Sequence, residues 1–185
     1  MLEKHNRTGT AYAFTAFTAI IHGHEEQVRA AIEGVARGGA GPLARLGQLH
    51  TSRLQIFDKL VYQGAPQKPD ELKNAYLVFT AAFDGDGDAF LDDIASLLPA
   101  EADSWWSHCV GYPGLTDRAA FRRWMIHNQL HTSLFGVASH DVSVAHVRES
   151  LRLRERVLAF AIDAQGLDAG ALHERFKGTF MKAGR

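Results

Sequence analysis

Four β-like stretches of the chain carry apolar residues on both faces, and they alternate with segments whose apolar residues recur at helical spacing. They cover residues 10–22, 49–60, 74–83 and 130–138. In the first, Tyr12, Phe14, Ala16 and Ile20 fall on one side of an extended chain, and Ala13, Phe17, Ala19 and Ile21 on the other. In the third, Tyr76 and Val78 oppose Leu77, Phe79 and Phe83. A sheet with one wet face should alternate apolar and polar residues. These strands therefore predict cover on both faces: helices on one, and the sheet of a second copy on the other.

Residues 25–37 predict the first helix, with Val28, Ala31, Ile32 and Val35 on one side and Glu25 and Glu26 at the positive end of its dipole. Gly38, Gly39, Gly41 and Pro42 end it. No Gly-Lys-Ser/Thr signature follows them, so the run reads as a connector and not a phosphate loop. Residues 63–71, with two prolines and a glycine, predict a solvated hairpin loop. A helix over 89–98 carries Phe90, Leu91 and Ile94 inward. Residues 100–114 read as an inserted short helix and loop, and a further helix runs from Thr116 or Asp117 to Asn128. The longest helix, 144–163, is capped by Asp141 or Ser143, with Val147, Leu151, Leu158 and Ile162 as its buried stripe. The expected fold is α+β: a βαββαβ antiparallel sheet with helices on one face, helices inserted before the last strand, and a long closing helix. One domain is expected over 8–165, with the helical insertion at 100–128 and a tail at 166–185 that carries a short helix near 171–176.

A formal net charge of −1 supplies no basic field for nucleic acid or an anionic membrane. Arg148, Arg152, Arg154 and Arg156 are interrupted by Glu149 and Glu155, as on a solvated helix face. Cys109 is the only cysteine, which excludes an internal disulfide and a cysteine-only metal site. No apolar run approaches the roughly 20 residues that span a bilayer. Residues 1–9 are polar and lack the apolar run of a signal peptide, so a cytoplasmic protein is expected.

Several side chains interrupt this apolar pattern. Arg53 is costly in a doubly covered strand unless it is paired or faces a polar cavity. It reads either as the binder of an anionic or carbonyl group or as half of a salt bridge to Asp84, Asp92 or Asp93. His50 is a base or a satisfied core histidine. Alternation puts His50 with Ser52, Leu54 and Ile56 and Arg53 on the opposite side, so the two share a site only if the strand is bulged. Asp84, Asp86 and Asp88 resemble the start of a calcium loop, but Ala89 and Ala95 stand at its glycine and glutamate positions. A turn with a helix cap is the expected role. Trp106, His108, Cys109 and Tyr112 form an aromatic loop expected to line a pocket. Thr15, Thr18, Thr80, His131 and Ser133 interrupt apolar strands, and with Phe17 and Phe135 they are candidate lining. His127 and His131 stand four apart, His22 and His24 flank Gly23, and His140 and His146 are further candidates as metal or haem ligands.

The segments LHTSRLQIF (49–57), LVFTAAFDGDGDAFLDDI (77–94) and WSHCVGYPG (106–114) resemble a bacterial group of the ferredoxin-like, dimeric α+β barrel superfamily, over residues 8–163. That superfamily includes small antibiotic-biosynthesis-type monooxygenases, haem-degrading enzymes, chlorite dismutases and dye-decolourising peroxidases. The resemblance implies a homodimer and points to His50, Arg53, Asp84, Gly85, Asp93, Gly111 and Pro113. The peroxidase GxxDG motif has its nearest match in Ala81-Ala82-Phe83-Asp84-Gly85, where alanine replaces the first glycine. The function implied is a small-molecule oxidative enzyme acting on an aromatic or polycyclic substrate in an apolar pocket. With haem, one of His127, His131, His140 or His146 would hold iron, and Arg53 or Asp84 would assist peroxide cleavage. Without a cofactor, His50 or His131 would deprotonate the substrate. The other readings are a non-catalytic ligand-binding or assembly module and a non-redox cyclase or isomerase.

Overall fold

Three of the four apolar stretches become strands, and a two-residue strand precedes them. They are β1 (Arg7–Thr8), β2 (Ala11–Ala19), β3 (Leu49–Phe57) and β4 (Tyr76–Asp84). The computed structural model describes residues 6–36, 41–66, 68, 72–137 and 142–181, which leaves out Gly38, Gly39, His140 and Asp141. The sheet is antiparallel in the order β1-β2-β4-β3. Helix α1 (Glu25–Ala36) links β2 to β3, which flank β4. This α+β arrangement is a coarse match to the ferredoxin-like plan.

The expected fourth strand does not form: residues 130–137 carry no strand pairing. The reason is competition for one edge. Each edge residue offers a single N–H and C=O, and other segments occupy both ends of β2. Strand β1 takes Ala11 and Tyr12, while Cys109 bridges Ile20. Only the middle is left, where Gln129 bridges Ala16. There the Leu130 amide donates to the Thr15 carbonyl at 2.8 Å, and the Phe17 amide donates to the Asn128 carbonyl at 2.9 Å. Beyond this point the chain leaves the edge, and the Thr8 hydroxyl donates to the Phe135 carbonyl at 2.5 Å.

Helices α2 (Gly87–Leu97), α3 (Pro99–Trp106) and α4 (Arg118–His127) complete the layer on one face. Asp86 and Asp117 cap α2 and α4, each accepting two backbone amides. The acidic turn therefore works as a helix start, as its composition suggests. Gly85 precedes that cap with φ +95°, a left-handed conformation that favours glycine. The core between sheet and helices is aromatic. Phe83 stacks on Phe90 with centroids 3.7 Å apart, and Trp106 meets Phe79 edge-on.

Two compact units divide the chain, Met1–Val144 and Ala145–Arg185. The second comprises nearly all of α5 (Val144–Asp163), then α6 (Ala169–Phe176) and a closing turn. Its packing centres on Phe160, Phe176 and Phe180, whose rings lie 5.1–5.9 Å apart. Leu151, Leu158 and Ile162, expected to be buried, are instead 50, 52 and 69% exposed. Among the described residues no helix is long and apolar enough to cross a membrane.

Candidate functional site

The site is built by an irregularity in β3. Leu49 pairs with Phe83 and Thr51 with Ala82, so two residues of β3 advance while one residue of β4 does. His50 is the extra residue of a β-bulge, a device that re-aims a side chain. Regular alternation would place His50 with Leu54 and Ile56, which pack on the core. The bulge lets it reach Asp84, on the face away from the helices. His50 Nε2 lies 2.8 Å from Asp84 Oδ1. This corrects the expectation that His50 and Arg53 face opposite ways.

Asp84 is held from three sides. Oδ1 accepts from His50 and, at 3.3 Å, from the Thr10 hydroxyl, while Oδ2 accepts from the Val144 amide at 2.6 Å. A carboxylate only accepts, so His50 presents Nε2–H to it and keeps its lone pair on Nδ1. His50 and Asp84 are mostly buried, with side chains 21 and 16% exposed. An aspartate that fixes the tautomer of a histidine leaves its other ring nitrogen as an acceptor, an arrangement that general bases use.

Beside this pair the open face of the sheet forms a depression of about 310 Å³, lined by Ala13, Thr15, Thr51, Arg53, Thr80, Ala82 and Phe135, together with backbone-adjacent Phe14, Ser52 and Ala81. Thr15, Arg53, Thr80 and Phe135, read separately from the sequence, thus come together. Ala13, Thr51 and Ala82 were missed, although their alternation places them with Thr15 and Thr80. Val144 was missed as well: nothing local in the sequence ties its amide to Asp84.

No protein-family model, curated protein or solved structure matches this chain.

The remaining candidates lie elsewhere. Trp106 is fully buried in the helix-side core, against Phe79, Trp105 and Phe121. His108 Nδ1 is 3.0 Å from His24 Nδ1. Tyr112 donates to Asp103 at 2.6 Å, and burial with this neighbouring carboxylate pushes its phenol well up from the usual range. Cys109 is 2% exposed, and burial pushes its thiol up to about 11, against a smaller lowering by Thr18. It is a packed thiol, not a nucleophile. Phe17 shares the face of the depression but stacks on Tyr76 outside it. His131 is exposed and is not part of the lining.

The acids expected to pair with Arg53 have other partners. Asp84 takes His50, Asp92 takes Arg122 at 3.0 Å, and Asp93 accepts from Gln48 at 2.7 Å. Among the described residues Arg53 has no ion-pair partner. No cluster of three metal-ligating side chains forms among them either. No histidine is among the described residues that line the depression. The described lining therefore offers haem no axial ligand.

Proposed function

We propose that this chain is a small-molecule enzyme that begins its chemistry by removing a proton with His50, in the manner of a cofactor-free monooxygenase. The observation behind this reading is the bulge that brings His50 onto Asp84 beside a depression lined by Arg53. His50 Nδ1 takes the proton, Asp84 stabilises the resulting imidazolium, and Arg53 holds and orients a substrate oxygen. The substrate carbanion then reacts with dioxygen. A carbon–oxygen bond forms as dioxygen is reduced to a peroxide, and loss of water leaves a carbonyl. A CH₂ group and O₂ thus become C=O and H₂O, with no outside reductant.

In this reading a second copy lies over the open face, as in a dimeric α+β barrel, and closes the depression from water. The half-buried Phe17, Phe57 and Tyr76 on that face support such cover. The test uses the full chain in D₂O with a panel of aromatic ketones and phenols, following C–H exchange by NMR and oxygen uptake by electrode. His50→Gln and Asp84→Asn are expected to lower both by about 10²- to 10⁴-fold. Unchanged exchange in His50→Gln removes the base. A mass in dilute solution equal to one protomer removes the barrel.

A further inference from the structure

The geometry points to a planar aromatic carboxylate of one or two rings, with an activated CH₂ at the edge away from the carboxylate, as the substrate class, an inference that rests on the general-base reading above. The open face presents three consecutive cross-strand rows. Thr15 pairs with Thr80, and Thr80 with Arg53, so two hydroxyls and a guanidinium stand side by side across three strands. In the next row Ala13 and Thr51 both pair with Ala82. In the last, Asp84 pairs with Ala11 and holds His50.

Each row does something different to a ligand. A guanidinium offers a planar fork of N–H donors that matches a carboxylate, and two hydroxyls beside it can complete the oxygens' hydrogen bonds. The lining holds no acidic side chain, and Arg53 has no ion-pair partner among the described residues, so an anion meets no competitor there. The alanine row carries only methyl groups next to the Thr51 side chain. Successive same-face rows are about 6.6 Å apart, close to the width of one aromatic ring. A flat ring therefore rests on Ala13 and Ala82, with Phe135 as a wall. A volume of about 310 Å³ is at the lower end of ligand sites, roughly 300–1,000 Å³, which favours one or two rings over a larger polycycle. A ligand anchored at Arg53 and lying across the alanines directs its far edge toward His50.

The test titrates the full chain with 2-naphthoate and with the neutral 2-naphthamide by calorimetry, with each variant's fold checked by circular dichroism. The carboxylate is expected to bind at least about tenfold more tightly than the amide, and Arg53→Met to erase that preference. Arg53→Lys, which keeps the charge and loses the fork, should recover only part of it. Ala82→Leu fills the floor and should weaken both ligands. His50→Gln should keep the affinity for naphthoate, which has no acidic C–H, while ending C–H exchange on the ketone panel. Equal affinity for acid and amide, no effect of Arg53→Met, or no binding of either ligand overturns the inference. If exchange persists on neutral carbon acids in any of these cases, the general base stands and only the substrate class fails. If naphthoate binds as expected but His50→Gln exchanges protons normally, the reverse holds.

Discussion

The two faces of β2 and β4 both carry apolar residues, yet around the depression they differ in the size of what they carry. Toward the helices β2 and β4 point Tyr12, Phe14, Leu77, Phe79 and Phe83, each fully buried. Toward the open side they point Ala13, Thr15, Thr80 and Ala82 around a cavity, with Phe17, Val78 and Tyr76 on the same face beyond it. Large rings on one face fill space and fix the helices. Small side chains on the other leave space and surround it with hydroxyls and one guanidinium. Side-chain volume, read with the same alternation, marks where on the open face the depression lies.

This contrast can be broken most forcefully from the helix side. Phe79→Ala removes a ring packed on Phe14 and Trp106 and should cost about 3–5 kcal/mol in a urea titration. A loss under 1 kcal/mol would mean the aromatic face is not the core. Cys109 lies on the same side, and its alkaline behaviour comes next. Its thiol is raised from 9.0 to about 11 by burial, so the unfolded chain loses this proton first. Its contribution is fully present below pH 9 and is lost as pH rises through 11, at most about 3 kcal/mol. The phenol of Tyr112, also raised, acts with the same sign at still higher pH. Cys109→Ala should flatten the fall between pH 9 and 11 in urea midpoints, and an identical fall in both proteins would contradict the burial of the thiol.

On the open side the effects on stability shrink while those on function do not. Asp84→Ala strips three donors of their acceptor and should cost about 1–3 kcal/mol, measured by thermal unfolding. Thr80→Val keeps shape and loses a hydroxyl at an incompletely buried position, so it should change stability by no more than about 0.5 kcal/mol. Its ligand affinity should nonetheless fall. A large destabilisation by Thr80→Val would show that the open face is packed in solution and would sharpen the case for a covering copy.

Most of the elements were legible because their period is strong. The strands at 10–22, 49–60 and 74–83 form with trimmed ends, and α5 runs over Val144–Asp163 as its pattern predicts. What failed depended on competition or on a local break. Residues 130–138 carry strand-like apolar content, but Arg7, Thr8 and Cys109 had claimed the edge they needed. His50 was placed on the wrong face because alternation assumes one residue per step, and a bulge at Leu49–Thr51 leaves no mark in the pattern. Trp106 and Tyr112 share the aromatic character expected of a pocket, but Trp106 is buried in the core and Tyr112 packs against its edge with its hydroxyl on Asp103. Arg53, Thr15 and Thr80 were legible as lining because a polar group in an apolar strand needs somewhere polar to face.

Asp84 has two oxygens committed to different masters: one to an imidazole, the other to a main-chain amide sixty positions further along. A carboxyl group is rigid about its own plane, so any swing that tightens one grip slackens the other. The tilt of the His50 ring is thereby tethered to where residue 144 sits. A chain cut just ahead of that residue would keep its strands and lose its aim.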